Sequence, residues 1–270
     1  MKAILTIAGS DCSGGAGIQA DIKTITAHKC YAMSVLAMLT AQNTTGIQST
    51  MEVSNNFFSQ QIDSCFNDIT PDAVKTGALF SADKIHITTE KLKLYNAKNI
   101  VIDPVMVCTA NNGITDCLLK PEAIQSMMEE LFQIATIITP NIPEAEVLYQ
   151  KITNKNIQIQ TKNDIENVAK IIGSTAKNSY ILLKGGHLTN DCDDCLYFQE
   201  KSLWITGERI NTNNTHGTGC SLSASIASNL ALGYDVENAV RLAKKYIEGA
   251  IRNNPNLGKG YGPINHCWKL

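Results

Sequence analysis

A strand, a glycine-rich loop and a helix follow one another within the first 28 residues, and most of the chain repeats that succession. Ala3-Ile4-Leu5-Thr6-Ile7 is a short β-branched run, Gly9 to Gly17 holds four glycines, and Ile18 to about His28 has amphipathic helical spacing. Further strands are expected at Ser34–Leu39, Ala73–Lys75, Ile100–Val105, Ile134–Thr139 and Tyr180–Lys184, with helices at Phe57–Phe66, Ala82–Tyr95 and from Pro140. Thr161 and Asp164 have the spacing of a capping box for a helix ending near Gly173. Gly217–Leu232 and Asp235–Asn253 are the last two helices, with Gly233 as a stop between them. Parallel strands need long crossovers, usually helical, so this alternation implies a mostly parallel sheet covered on both faces. Cys195–Phe198 and Leu203–Thr206 break the pattern and suit an antiparallel ribbon near a sheet edge.

With 270 residues, 44% of them hydrophobic and 18% charged, the chain has the material for one large core, and a single domain over 1–270 is expected. A net charge of −2 and a pI near 6.2 give no footprint for nucleic acid, so a small-molecule partner is expected. Nine cysteines, an odd number spread from Cys12 to Cys267, read as reduced thiols, and the lone Cys192-Asp-Asp-Cys195 reads as a surface turn and not as a zinc site. The apolar run Ala3–Ala8 is too short for a signal segment, and no stretch approaches the ~20 residues of a membrane span. No membrane partner and a cytoplasmic location are therefore expected.

Ligands of such open sheets bind at the carboxyl ends of the strands, here the loops after Ile7, Leu39, Val105, Ile138 and Lys184 and the start of the penultimate helix. In Asn213-Asn214-Thr215-His216-Gly217-Thr218-Gly219-Cys220, two glycines at a helix entrance allow backbone N–H groups to converge on an anion; the alternative is a plain glycine-rich helix start. The first loop lacks the Gly-Lys-Ser/Thr ending of a Walker loop and the spacing of a dinucleotide fingerprint, which excludes both. Asp21, one turn into the following helix, either contacts a ligand or is a solvated helical residue. Gln42 offers a donor and an acceptor side by side, which matches an aminopyrimidine edge, or else is a polar loop residue. Asn141-x-x-Glu144 is either ordinary capping or a carboxylate organising hydrated magnesium, and Asp103 at a strand end raises the same possibility.

Ala8-Gly9-Ser10-Asp11 through Gly14-Gly15-Ala16-Gly17-Ile18-Gln19-Ala20-Asp21, Ala41-Gln42-Asn43-Thr44, Asp103-Pro104-Val105-Met106, Thr139-Pro140-Asn141-x-Pro143-Glu144-Ala145, Lys184-Gly185-Gly186-His187, Asn214 to Cys220 and Lys259-Gly260-Tyr261-Gly262-Pro263 stand in this order. Together they closely resemble the bacterial hydroxymethylpyrimidine/phosphomethylpyrimidine kinases of thiamine biosynthesis. The resemblance implies a ribokinase-like three-layer α/β/α sandwich, a homodimer, and two successive phosphorylations with ATP and Mg2+. By position it puts Gln42 on the aminopyrimidine edge, with Asp21, Gly9, Ala16 and Val105 around the substrate. It assigns Asn141 and Glu144 to the magnesium–phosphate network, and Lys184 and Lys259 to the nucleotide. Gly217, Thr218, Gly219 and Cys220 become the anion hole. Cys220 stands where many sugar kinases of the superfamily carry an aspartate base, and a thiol at a helix N-terminus is expected to have a lowered pKa.

Two departures bear on specificity. Relatives commonly read Lys-Ile-Gly-Met where this chain has Lys75-Thr76-Gly77-Ala78, and the Cys108–Gly113 loop differs from the usual Lys-Ser-Gly version. The nearest rival is a pyridoxal/pyridoxine kinase, whose members generally carry methionine at the position of Gln42. A non-catalytic vitamin-binding regulator is the rival from another class, and a nicotinamide oxidoreductase fails for want of its glycine fingerprint.

Overall fold

The computed structural model describes residues 1–106, 119, 121–176, 178–186 and 192–270. Its nine strands form one sheet: β1 (Ala3–Asp11), β2 (Tyr31–Asn43), β3 (Gly46–Glu52), β4 (Ala73–Thr76), β5 (Ile100–Ile102), β6 (Ile137–Ile138), β7 (Tyr180–Leu183), β8 (Asp194–Phe198) and β9 (Lys201–Ile205). Their order is β3-β2-β1-β4-β5-β6-β7-β8-β9. The run from β2 to β7 is parallel throughout, while β3 and the β8–β9 ribbon add antiparallel edges.

The central strands are apolar on both sides because both faces are covered. Alternate residues serve opposite layers: Leu5, Ile100, Ile102, Ile181 and Leu183 enter one core, and Ile4, Val101 and Leu182 the other. The first core is closed by α2 (Asn55–Phe66), α3 (Ala82–Leu94), α4 (Pro121–Ser126), α5 (Ile142–Thr153) and α6 (Lys162–Thr175). The second is closed by α1 (Gly17–Ala27), α7 (Thr218–Ala231) and α8 (Val236–Arg252). This is the α/β/α sandwich expected from the alternation.

Most of the helix starts are sealed by side chains. Ser54, Ser81 and Asp235 cap α2, α3 and α8, and Thr161 with Asp164 makes the reciprocal capping box expected for α6. Two starts, those of α1 and α7, carry no side-chain cap. Both face the same cavity.

The structure corrects several boundaries. β2 runs on to Asn43 and turns into β3, an edge strand with no apolar alternation to betray it. β5 stops at Ile102: the Asp103 N–H still donates to the Thr76 carbonyl of β4 at 3.0 Å, but the Val105 N–H turns back onto the Asp103 carbonyl at 2.8 Å and Pro104 has no N–H to give. β6 shrinks to two residues because Phe132–Ile134 form a 3-10 turn before it. Cys192-Asp-Asp-Cys195 is no surface turn: Asp193, Asp194 and Cys195 are buried at the start of β8, where Asp194 Oδ1 accepts the Gly185 N–H at 2.9 Å and Lys244 Nζ donates to its Oδ2 at 2.6 Å. The Cys108–Gly113 loop and His187 lie outside the described residues.

Leu5 is fully buried in the central strand, whereas Leu94 at the end of α3 is exposed. Leu5→Ala is expected to cost about 2–5 kcal/mol in urea denaturation, and Leu94→Ser to stay within about 0.5 kcal/mol.

Candidate active site

The carboxyl ends of the parallel strands and the start of α7 enclose a cavity of about 620 Å3. Its shape depends on a close backbone approach. Gly217 caps α7 with φ 80°, and a Cβ there would lie 1.8 Å from the Gly15 carbonyl oxygen, so the first loop and the α7 entrance can meet only through glycine. The Thr218 N–H turns back onto the Thr215 carbonyl at 3.2 Å, whereas the Gly219 and Cys220 N–H groups have no intrahelical acceptor and no side-chain cap, and this end of the helix lines the cavity with the positive end of its dipole.

One end of the cavity is built to read a planar ring. The β2–β3 ladder shifts register between Ala41 and Gln42, and such irregularities re-aim a side chain. Gln42 accordingly lines the cavity with Met38, Thr40 and Ala78. Beside it, His216 Nε2 lies 2.8 Å from Asp11 Oδ2, both side chains buried. Burial alone would raise the Asp11 carboxyl, but hydrogen bonds from His216, Ser13 and the Ala16 N–H hold it down at about 2.

At the centre, Lys184 Nζ donates to Asp103 Oδ1 at 3.1 Å, and Asp103 also accepts from Thr139 Oγ1 at 3.2 Å and Ser223 Oγ at 3.3 Å. An atom grown from Gly219 would come within 3.4 Å of Lys184 Nζ and 3.7 Å of Asp103, which places this pair at the mouth of α7. Glu144 and Asn141 form a complete capping box for α5, each backbone N–H meeting the other's side chain at 2.8 and 2.9 Å. Both alternatives read from the motif therefore meet in one residue, since the capping carboxylate also lines the cavity. Burial pushes Glu144 up to about 7, with Asp103 adding to the rise and Lys184 opposing it. Burial disfavours the Lys184 ammonium, yet Asp103 and Glu144 outweigh it and raise its pKa.

Beneath Cys220 lies a second buried pair, Lys75 Nζ to Asp21 Oδ2 at 2.8 Å, with Thr6 Oγ1 donating to the same oxygen at 2.6 Å. Burial pushes the Cys220 thiol up to about 12, against the pull of Lys75 and with Asp21 and Asp103 adding to it. The lowered thiol expected from the helix N-terminus is thus corrected: desolvation outweighs the dipole. Asp21 is corrected as well. It is fully buried against Lys75 and does not reach the cavity.

The remaining expected residues separate cleanly. Gly9, Ala16, Gln42, Val105, Asp103, Asn141, Glu144, Lys184 and Gly217, Thr218, Gly219 and Cys220 line the one cavity. Lys259 does not; its backbone N–H donates to Thr44 Oγ1 at 3.2 Å on an exposed loop. Residues that sequence reasoning assigned no role are Asp11, His216, Thr40, Lys75 and, at the far end of the cavity, Arg209 and Lys244. Asp11 and His216 stood inside quoted motifs, but 205 positions separate them and no local signal pairs them.

Asp103 and Glu144 offer hard carboxylate oxygens beside an ammonium and a bare helix N-terminus. That donor set fits a hard divalent cation carried on a polyphosphate. Among the described residues, no group of three or more His, Cys, Asp or Glu could hold a metal alone. No helix among them is long and apolar enough to cross a membrane, and the described cysteines are all free thiols.

The phosphomethylpyrimidine kinase family model matches residues 11–265. The thiamine biosynthesis bifunctional protein of Geobacter sulfurreducens is 43% identical over 264 residues, which are 97% of this chain and 52% of that protein. The chain thus spans about half the length of that bifunctional relative. A hydroxymethylpyrimidine/phosphomethylpyrimidine kinase of Staphylococcus aureus is 39% identical over 98% of this chain and 93% of its own. Among solved structures, the ADP complex of Bacillus subtilis pyridoxal kinase superposes with a TM-score of 0.87 at 35% identity, covering 98% of this chain and 97% of that one.

A proton held more tightly by the fold than by the unfolded chain stabilises the fold fully below the unfolded value and ceases to do so as pH rises through the folded one. For Glu144 that window runs from 4.5 to about 7. Glu144→Gln is therefore expected to gain several degrees of Tm relative to the parent between pH 5 and pH 8. A constant difference across that window would mean that Glu144 holds no such proton.

Proposed function

The chain belongs to the phosphomethylpyrimidine kinase family, with its ribokinase-like fold, and we propose that it transfers phosphoryl groups from ATP to hydroxymethylpyrimidine. The first transfer makes the monophosphate and the second the diphosphate, for thiamine biosynthesis. The observation that carries the reading is the bare start of α7, flanked by Lys184 and placed in one cavity with the donor–acceptor edge of Gln42. Phosphoryl transfer asks for positioning and charge stabilisation more than covalent help, and these groups supply both.

In this reading the substrate hydroxyl oxygen bonds to the γ-phosphorus as the bond to the β–γ bridging oxygen breaks and ADP leaves. The α7 N–H groups and Lys184 hold the transferring oxygens. Asp103 and Glu144 would hold hydrated Mg2+, which supplies neutralisation of the nucleotide phosphates. Asn141 fixes Glu144 through the capping box. The enzyme works in the cytoplasm on small molecules, as a homodimer.

Cys220 takes the hydroxyl proton. Its thiol, held near 12 by burial, must first be deprotonated. Turnover should therefore climb with pH through the alkaline range. Cys220→Ala should lose about 10²–10⁴ in kcat, and Cys220→Asp, a stronger acid than a thiol in the same surroundings, should recover part of it with a profile shifted to lower pH. Full turnover in Cys220→Ala would remove the thiol from the chemistry.

A second reading, phosphorylation of a pyridine, is favoured by the small Ala78 beside Met38 in the ring pocket and by the likeness to a pyridoxal kinase. A non-catalytic vitamin binder is opposed by the assembled Lys184, Glu144 and anion hole, and any ATP turnover would dispose of it. Mass-resolved products formed from hydroxymethylpyrimidine, its monophosphate and pyridoxine, each with ATP and Mg2+, decide the matter. The expected outcome is monophosphate and diphosphate from the pyrimidine series. Phosphorylation of pyridoxine alone would overturn the reading.

A further inference from the structure

The Gln42 carboxamide sits between two neighbours whose protons are already committed. Its Nε2 faces His216 Nε2 at 3.4 Å, and its Oε1 lies 3.1 Å from Thr40 Oγ1. His216 Nε2 is also 2.8 Å from Asp11 Oδ2. Asp11 is an acceptor there, since its two oxygens also take the Ala16 N–H and both Ser13 donors. The imidazole nitrogen therefore carries a proton, directed at Asp11, and has no lone pair with which to accept from the Gln42 NH2. At the other end, the single Thr40 hydroxyl proton goes to the Ser10 carbonyl at 2.8 Å, which leaves oxygen against oxygen. A half-turn of the carboxamide removes both mismatches, because its NH2 then donates to the Thr40 oxygen and its oxygen takes a weaker second share of the His216 N–H, whose main acceptor stays Asp11.

The partners cannot easily give way. The His216 backbone N–H donates to the Gly262 carbonyl at 3.0 Å, and the imidazole packs so tightly on Gly15 that a Cβ there would meet its Cδ2 at 2.3 Å. On the other side, Gln42 is tied through its backbone N–H and carbonyl to the Cys12 sulfur at 3.3 and 3.2 Å.

We infer that Asp11, His216 and Thr40 are positioning residues that hold the Gln42 carboxamide with Oε1 toward His216 and Nε2 toward Thr40, and so decide which way round the substrate ring sits. The inference rests on the pyrimidine reading above. A 4-aminopyrimidine offers an amino donor next to a ring-nitrogen acceptor, so the amino group meets Oε1 on the His216 side and the ring nitrogen meets Nε2 on the Thr40 side. The hydroxymethyl group sits on the carbon beyond the amino-bearing one. It therefore points past His216, toward the residues 217–220 that follow it in the chain. With the carboxamide turned the other way, a ring paired with it would carry the hydroxymethyl group on the Thr40 side.

The 4-oxo analogue tests this, because its ring N–H and carbonyl present the reverse pattern. kcat/KM would be measured for the 4-amino and 4-oxo forms of the hydroxymethylpyrimidine, with the parent chain, Thr40→Val and His216→Leu. The parent should prefer the amino form by about a hundredfold or more, since the wrong form leaves two buried groups mispaired. In both variants the amide is released, and the preference should fall to a few-fold. Equal losses on both analogues, with the ratio kept, would mean that these residues only pack, and the inference fails. Thr40→Val leaves the Asp11–His216 pair intact and carries the test alone if His216→Leu does not fold. Calorimetric binding of the same two analogues separates this inference from the kinase reading. A parent that transfers no phosphate yet binds with the ratio, and loses it in the variants, upholds the orientation and sinks the kinase reading. A parent that turns over both analogues equally, or binds neither, overturns the orientation.

Discussion

The approach of the Gly15 carbonyl to Gly217 is the contact on which the site depends. It brings the loop after the first strand against the entrance of the penultimate helix, across some two hundred residues of chain. Neither segment encloses anything by itself. Together they close one side of the cavity, and the His216–Asp11 pair crosses the same seam. A side chain at either glycine would separate the two and leave the start of α7 as an ordinary exposed helix end.

Charge at the centre is arranged around that seam. Two buried pairs, Lys75 with Asp21 and Lys184 with Asp103, lie close to the helix terminus, and Glu144 is the carboxyl left over. With its pKa raised to about 7 by burial, Glu144 exchanges its proton near neutrality. The same burial keeps Cys220 a thiol near neutrality.

The sheet divides the labour between its middle and its edges. The parallel strands end in the chemically general groups: Asp103 after β5, Asn141 and Glu144 after β6, and Lys184 after β7. The antiparallel edges supply further parts of the cavity wall. The β2–β3 hairpin carries Gln42 at its register shift, and the opposite edge brings Cys192, just before β8, and Asp194, its first residue, to the cavity, where Lys244 of α8 donates to both. Edge ribbons can alter without disturbing the crossovers that hold the core, which suits a fold that keeps one reaction and changes its ring.

Periodicity and glycine placement by themselves determined the three-layer sandwich, the antiparallel ribbon after Cys195 and the loops that meet at one cavity, because these follow from local φ/ψ and burial patterns. The quoted motifs likewise supplied most of the cavity wall, from Gly9 to Cys220. What they could not supply was partnership. Asp21 looked like a ligand contact until the fold buried Lys75 against it, and the Cys220 thiol looked activated until desolvation was counted. Lys259 stood in a matching motif but does not line the cavity, β3 has no apolar face to show it, and His216 and Asp11 meet only in space. Local sequence sets which backbone shapes are affordable, whereas the pairing and protonation of buried groups depend on neighbours far away along the chain, and only the tertiary structure decides those.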